Sequence, residues 1–455
     1  MSTSKSEFDL TRGPILPKLV RLSLPIMATS FMQMAYNLTD MFWLSRLSEG
    51  AVAAAGIGGQ FLWLSMSMIP MGIAGSEIGV SQSMGRAEPE TAKKYAQNSF
   101  FISMVWGIFF ALLILLFNSQ MISFFGIEDL NVVRLAEQYL AITALAVPFI
   151  YTHTAVTGCF NGFGNTKLPF YIDSFAFGLN IALSPVLIFV FDLGVAGAAW
   201  GTVVAAAVNL LLKLIALKHY KNRPFEKYSY FKKPQKNYVR QIFRWGFPIA
   251  LEAALFTFIF MMITRLISDF GYNAVAAHQV GIQIEALSFM VCGGFGSALT
   301  AFVGQNFGAK KWGRLRSTYK VAYVFMGVYG VFISLLLFIF ASPLVSLFLT
   351  YPESIEIGTN YLRIIAIAQL LFCLESVATG SFQGRGLTMK PTIVSVVSNV
   401  LRIPICYALS ATALGITGVW WGIALAMTIR SVWLLIWHKI NIRKIPKADE
   451  AIEKV

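Results

Sequence analysis

Residues 194–201 read GVAGAAWG, and residues 415–422 read GITGVWWG, so one pattern of glycines and tryptophan returns 221 positions later. Further matches at nearly the same interval are AVAA at 51–54 with AVAA at 274–277, and NGFG at 161–164 with QGRG at 383–386. A repeat that stays in register over about 200 residues indicates a duplicated structural unit. The chain is therefore expected to fold as two similar halves.

The composition indicates that these halves are embedded in a membrane. Of the 455 residues 56% are hydrophobic and 13% are charged, and the mean hydropathy is +0.66. A soluble domain carries about a quarter of charged residues. A soluble enzyme, a disulfide scaffold, a collagen and a disordered chain are thus excluded, and long unbroken apolar runs favour membrane-spanning helices over a barrel. The predicted spans lie near 15–44, 50–78, 95–117, 131–157, 167–191, 194–217, 239–268, 275–303, 318–341, 356–379, 391–411 and 416–438.

The longest hydrophilic stretch divides these twelve spans into six and six. It predicts an N-terminal lobe at 1–217, a cytoplasmic linker at 218–238 and a C-terminal lobe at 239–455. The resulting fold class is an all-α integral membrane protein whose two six-helix lobes are related by pseudo-two-fold symmetry along the membrane normal. Basic residues gather in alternate loops, which predicts a multi-pass protein of the cytoplasmic (inner or plasma) membrane with both termini cytoplasmic. The net charge of +14 is spread over these loops, so no nucleic-acid partner is expected.

A duplicated helical unit of this kind is typical of rocking transporters, although a duplicated channel also shows a repeat. The sequence has no G-x-x-x-x-G-K-[ST] phosphate loop, so an ATP-driven pump is not expected. That leaves ion-coupled or passive transport. We expect no enzymatic activity, no bound metal and no cofactor beyond a coupling ion, which is H⁺ or alternatively Na⁺.

The first span carries one polar face, formed by Gln33, Tyr36, Asn37 and Asp40. Their spacing places all four within about a third of the helix circumference. A carboxylate inside a span is costly unless it faces a cavity or a partner, so Asp40 is the principal functional candidate. The alternative is that Asp40 is only solvated at the outer membrane interface.

Polar residues recur on three other spans of the first half. Asp173, Asn180 and Ser184 share a face of the fifth span, Thr202 and Asn209 share one on the sixth, and His153, Thr157 and Asn161 share one on the fourth. Such residues either join helices by hydrogen bonds or line a polar, weakly acidic pocket. The predicted substrate-binding residues are Gln33, Tyr36, Asn37, Asp40, Asn161, Asn180, Ser184 and Thr202.

Proline lies inside the first span of each half, as Pro25 and its repeat mate Pro248. A proline there removes a backbone hydrogen bond and favours a kink. Pro25 is therefore a candidate hinge; a static bend that serves packing is the alternative.

The second half differs at the equivalent positions, where Ile263 replaces Asp40 and Arg402 replaces Asn180. It carries its own set of ionisable residues, namely Glu252, His278, Glu285 and Glu375. Two interpretations stay open: these residues form an ion pair with Arg402, or they form a second ion site.

Four features can be compared with known families: the repeat, the first span with Pro25 and the sequence NLTD at 37–40, the AVAA motif at 51–54, and the paired Gln82 and Gln305. With these features the chain resembles the multidrug and toxic compound extrusion (MATE) antiporters over nearly its whole length. Within that family the chain looks most like the DinF-like branch. The resemblance implies that Asp40 carries the proton and that Asn180 and Thr202 belong to the cavity. Archaeal relatives have a second aspartate where this chain has Ser184. In a sodium-binding branch, a glutamate and an aspartate correspond to Glu252 and, loosely, to Glu375.

The sequence thus predicts a proton-coupled antiporter that exports amphipathic, cationic compounds and acts as a monomer in the lipid bilayer. One alternative is sodium coupling through Glu252. Another is a flippase for lipids or lipid-linked sugars, which is disfavoured because Arg265 and Arg402 are the only basic residues expected at depth. A passive channel is disfavoured because no continuous charged ring is apparent.

Overall fold

The computed structural model describes residues 8–225, 228–230 and 232–446. Parts of the predicted linker and of the predicted C-terminal tail lie outside the described residues. Within them the chain is helical and has no β-strand. The helices are α1 (Ile15–Leu47), α2 (Glu49–Met66), α3 (Pro70–Gly85), α4 (Pro89–Leu116), α5 (Asn118–Ser123), α6 (Leu130–Ala144), α7 (Val147–Phe163), α8 (Lys167–Pro185), α9 (Val195–His219), α10 (Lys236–Ser268), α11 (Tyr272–Gly308), α12 (Trp312–Ile339), α13 (Ala341–Ser346), α14 (Pro352–Gly384), α15 (Met389–Ser410) and α16 (Ile416–Arg443).

The predicted membrane-spanning architecture is confirmed. Eleven segments in the described part of the chain are long and apolar enough to cross a membrane, and α6 with α7 supplies a twelfth as a bent pair. The fourth span, predicted as one rod at 131–157, bends by 41° between these two helices. Pro148 explains the break, because a proline ring is tolerated in the first turn of a helix and not in its interior. Pro70 opens α3 in the same way after a short break that follows α2.

Pro25 and Pro248, in contrast, lie inside continuous helices. α1 runs through Pro25 and α10 runs through Pro248. Thr29 Oγ1 donates a hydrogen bond to the Pro25 carbonyl at 3.0 Å, so a side chain contributes to the bonding of the helix at this point. The role of Pro25 as a hinge stays a prediction.

The described chain divides into two compact units. The first comprises 8–10, 24–225, 228–230 and 232–250, and the second comprises 11–23 and 251–446. In the first unit α3 packs against α4 and α7, α2 against α6, and α8 against α9. In the second unit α14 is central and packs against α11, α12 and α16, while α15 packs against α16. Of the three divisions, the one at 10/11 precedes α1, and those at 23/24 and 250/251 fall inside α1 and α10. A lobe boundary at 218–238 stays a prediction.

The repeated glycines occupy matching places in the two units. Gly194 precedes α9 with φ of 54°, and Gly415 precedes α16 with φ of 53°. This left-handed region is costly for a residue with a Cβ atom, which explains why glycine recurs there. The repeat seen in the sequence is therefore also a repeat of backbone conformation.

Two further glycines set the contact between neighbouring helices. A Cβ atom at Gly162 of α7 would lie 2.8 Å from the carbonyl oxygen of Glu77 in α3. A Cβ atom at its repeat mate Gly384 of α14 would lie 2.5 Å from the carbonyl oxygen of Thr300 in α11. In both units a small residue lets two helix backbones approach closely, as membrane helices commonly do.

Candidate functional site

Tyr36 and Asp40 face the interior of the first unit, whereas Gln33 and Asn37 are exposed. The predicted polar face of α1 is thus divided between two environments. The Tyr36 hydroxyl lies 2.8 Å from Thr202 Oγ1 on α9, and the Tyr36 ring stacks on Phe177 of α8 with centroids 5.7 Å apart. One side of α1 is thereby joined to both helices.

Asp40 is only 8% exposed, so it is not the solvated interface residue that the alternative interpretation assumed. Ser184 Oγ donates a hydrogen bond to Asp40 Oδ1 at 3.3 Å, and the same hydroxyl lies 3.1 Å from Asn180 Oδ1. Tyr36 also lies within hydrogen-bonding reach of the carboxylate. The described residues provide no ion pair for Asp40, and its neighbours are hydroxyl groups.

Gly201 leaves space beside this group. A Cβ atom at Gly201 would lie 2.9 Å from Ser184 Oγ and 3.5 Å from Asn180 Nδ2. The Asn180 amide nitrogen is buried and has no hydrogen-bond partner among the described residues. The predicted residues Tyr36, Asp40, Asn180, Ser184 and Thr202 therefore form one cluster, which contains an unused hydrogen-bond donor.

Asn161 lies elsewhere. It is 4% exposed, and its Oδ1 atom has no hydrogen-bond partner among the described residues. Its predicted companions on α7, His153 and Thr157, contact a different residue, Lys213 of α9. A shared face on one helix thus did not bring Asn161 into the cluster around Asp40.

Lys213 is the residue that the sequence analysis missed. Its ammonium donates to Asp173 Oδ1 at 2.6 Å and to Thr157 Oγ1 at 2.7 Å, and it lies 3.4 Å from His153 Nδ1. Asn209 donates to the same oxygen of Asp173 at 2.8 Å. A lysine in the apolar stretch LLLKLIAL at 210–217 was the signal that points to such a pair, because a cation at depth needs a partner.

In the second unit Glu375 pairs with Arg430 rather than with Arg402. Arg430 Nε lies 3.0 Å from Glu375 Oε1, and Ser431 Oγ donates to Glu375 Oε2 at 2.7 Å. An ion pair of this group with Arg402, one of the two interpretations left open by the sequence, is therefore not formed by Glu375. Arg430 neutralises the carboxylate, and like Lys213 it is a basic residue inside a predicted span that the sequence analysis missed.

Glu252 lies on α10 near this pair. It accepts a hydrogen bond from Thr392 Oγ1 at 3.2 Å and interacts electrostatically with both Glu375 and Arg430. No described residue forms an ion pair with Glu252. One unpaired carboxylate and one neutralised carboxylate thus share this region.

His278 and Glu285 belong to a separate aromatic group. The His278 ring stacks between Phe260 and Trp420, with centroids 5.9 and 5.4 Å away. Glu285 Oε2 accepts a hydrogen bond from the Tyr361 hydroxyl at 2.9 Å. The four residues predicted as one C-lobe ion site therefore divide into two groups, and Arg265, expected at depth, is exposed at the end of α10.

Comparison with known proteins agrees with this architecture. The chain is similar to the probable multidrug resistance protein NorM of Thermotoga maritima, at 25% identity over 428 residues that cover 93% of this chain and 92% of NorM. It is also similar to the probable multidrug resistance protein YoeA of Bacillus subtilis, at 27% identity over 436 residues that cover 92% and 94% of the two chains. A crystal structure of MATE in the bent conformation has the same fold, with a TM-score of 0.91, 22% identity and 98% coverage of both chains.

A family model provides the assignment. The model described as MatE matches residues 25–186 and again residues 248–408. The two matches together cover more than half of the chain, and they begin at Pro25 and at Pro248. The two matches begin 223 positions apart, which is close to the interval of the sequence repeat, and the chain belongs to the MatE family.

Proposed function

We propose that the chain is a multidrug exporter that exchanges amphipathic organic cations for protons, with Asp40 as the proton carrier. Both relatives named above are called probable multidrug resistance proteins, which supports the same broad activity here. As a MatE member the chain is a transporter and not an enzyme. Its placement in the DinF-like branch is part of the proposal.

The observation that carries this proposal is the contrast between two buried carboxylates of the first unit. Asp173 forms an ion pair with the Lys213 ammonium at 2.6 Å. Asp40 has only hydroxyl neighbours and no cation of its own among the described residues. A buried carboxylate without a cation is stable only when a proton or an external cation neutralises it. Asp40 therefore meets the requirement for a residue that binds a proton and an organic cation in turn.

Alternate binding of a proton and an organic cation at Asp40 results in the exchange of one for the other. With Asp40 ionised, an organic cation is attracted to the carboxylate while Tyr36 and Phe177 offer aromatic faces to its apolar part. Protonation of Asp40 removes that attraction, so the proton and the cation exclude one another. The unused amide donor of Asn180 provides a polar contact for varied compounds. Coupling then requires only that the two states open to opposite sides of the membrane.

The structure of the second unit favours protons over sodium. A hard cation such as Na⁺ needs several oxygen ligands with net negative charge. Glu375, which would have to join Glu252, is already neutralised by Arg430 at 3.0 Å. We therefore assign no coupling ion to Glu252 and retain H⁺ as the coupling ion.

The partners and location follow from the same proposal. The exporter acts as a monomer in the cytoplasmic membrane, with amphipathic organic cations as its substrates and both termini in the cytoplasm. The positive-inside distribution of the loops supports this orientation.

The test is transport of ethidium in proteoliposomes with proton and sodium gradients imposed separately. We expect a proton gradient alone to drive ethidium movement by the wild type, Asp40→Asn to abolish that movement, and Glu252→Gln to retain it. Counter-movement of protons is recorded with an entrapped pH dye. Near wild-type movement by Asp40→Asn, or movement that needs a sodium gradient and is lost in Glu252→Gln, would contradict the proposal.

A further inference from the structure

Arg402 of α15 is a buried cation without a fixed partner. It is 8% exposed, and its Nε atom is buried and has no hydrogen-bond acceptor among the described residues. No carboxylate of those residues lies within ion-pair distance of its guanidinium. The guanidinium lies over the ring of Phe256, whose centroid is 6.0 Å from Cζ.

Glu285 is the carboxylate that interacts electrostatically with Arg402, but it forms no ion pair with it. Arg402 and Glu285 influence one another across the interior of the second unit. However, Glu285 Oε2 is bonded to the Tyr361 hydroxyl at 2.9 Å, and Glu285 Oε1 is buried without a partner. Arg430 is the other buried guanidinium of this region. It repels Arg402 electrostatically, and it is itself paired with Glu375.

A guanidinium has five N–H donors in a planar fork, which matches the two oxygens of a carboxylate. A buried charge is normally paired, because desolvation without compensation is costly. Arg430 follows this rule with Glu375, whereas Arg402 does not. The missing acceptor is therefore expected to arrive with a ligand.

We propose that Arg402 anchors a second ligand subsite, which binds the carboxylate of aromatic zwitterionic compounds. This inference rests on the proposed multidrug function and assigns to it a residue that distinguishes substrates with a carboxylate. Phe256 supplies the aromatic contact, since it is 39% exposed and lies against the guanidinium. An arylcarboxylate can thus place its ring against Phe256 while its oxygens bind Arg402.

The sequence repeat shows which residue of the first unit corresponds to Arg402. Arg402 occupies the position that Asn180 has in the first unit, where Asp40 attracts cations. At the equivalent place the second unit has a positive charge, and Asp40 itself is replaced there by Ile263, which is 2% exposed. The duplicated scaffold therefore presents two sites of opposite charge.

The test compares two dyes with the same cationic ring system, rhodamine 6G, which is an ethyl ester, and its free acid, which is a zwitterion. Dissociation constants are measured by fluorescence anisotropy on the purified full chain. The quantity compared is the dissociation constant of the free-acid dye divided by that of the ester dye. In Arg402→Met we expect this ratio to rise at least about tenfold over wild type, the size expected for a lost charge-assisted bond. A ratio that stays within about threefold of wild type overturns the inference.

A second variant covers the case in which Arg402→Met fails to fold. Glu285→Gln removes the negative charge that competes for Arg402, so it is expected to lower the ratio by several-fold. An unchanged or higher ratio in Glu285→Gln also overturns the inference. Wild-type protein that binds the ester and not the acid contradicts this inference alone, whereas wild-type protein that binds neither dye contradicts the proposed function as well.

Discussion

Lys213 Nζ lies 2.6 Å from Asp173 Oδ1, and the two side chains are 0% and 6% exposed. Thr157 accepts a second hydrogen bond from the same ammonium, and Asn209 donates one to the same carboxylate oxygen. These residues belong to α7, α8 and α9. The pair therefore fixes the relative positions of the helices that also carry Asn180, Ser184 and Thr202 beside Asp40.

Removal of one member of this pair is expected to destabilise the protein strongly. Lys213→Met leaves the buried Asp173 carboxylate without its cation, and such changes cost about 3–5 kcal/mol. The expected result is a clear fall in the midpoint of thermal unfolding, measured by intrinsic fluorescence in detergent.

The double variant Lys213→Met with Asp173→Leu is the control, because it removes both charges. We expect its unfolding midpoint to lie above that of Lys213→Met, since no unpaired charge stays buried. If the two changes lowered the midpoint additively, the pair would not be an interacting unit.

The fold was largely predictable because its main determinants are local. Unbroken apolar runs specify spans, and glycine at 194 and 415 marks two positions that need φ near +54° and +53°. The bend between α6 and α7 was missed although Pro148 is visible in the sequence. Hydropathy averages over a window and therefore smooths over a single proline.

The candidate site was predictable only in part. Helical spacing correctly grouped Asn180 with Ser184 on α8, because both belong to one helix. It did not reveal that Lys213 meets Asp173 or that Arg430 meets Glu375, since the partner in each case comes from another helix. Spacing gives the face of a residue, and the neighbour on that face depends on tertiary packing.

Gly384→Ala is expected to destabilise the second unit. The added methyl group would lie 2.5 Å from the Thr300 carbonyl oxygen, so α11 and α14 must move apart, at a cost of about 1–3 kcal/mol. Gly293→Ala is the matched control, because its Cβ atom would meet nothing within 4 Å. Thermal unfolding should show a lower midpoint for Gly384→Ala only; an equal fall in both variants would mean that the close approach is not the cause.

Tyr36→Phe separates the contact of the Tyr36 ring from the contacts of its hydroxyl. It keeps the ring that stacks on Phe177 and removes the hydroxyl that lies 2.8 Å from Thr202 Oγ1. A neutral hydrogen bond contributes about 0.5–1.5 kcal/mol, so proton-driven ethidium transport should fall by up to about tenfold.

Thr202→Val is expected to cause a smaller loss than Tyr36→Phe, because Tyr36→Phe also removes the hydroxyl contact with Asp40. The double variant should be no worse than Tyr36→Phe, because both lack the bond between the two hydroxyls. The exposed Tyr407→Phe serves as the control and should transport normally. Multiplied losses in the double variant would show that the two hydroxyls act separately.

Arg430→Met is expected to create a response to sodium that the wild type lacks. The change leaves Glu375 without its partner at 3.0 Å, close to the unpaired carboxylate of Glu252. Two uncompensated carboxylates destabilise the protein and provide the oxygen ligands that a hard cation needs. Sodium chloride should therefore raise the unfolding midpoint of Arg430→Met above the value in N-methylglucamine chloride at equal ionic strength. The wild type, with Glu375 neutralised, should show no such difference. A sodium-specific rise in the wild type would instead mean that Arg430 does not block a cation site, and would reopen sodium coupling through Glu252.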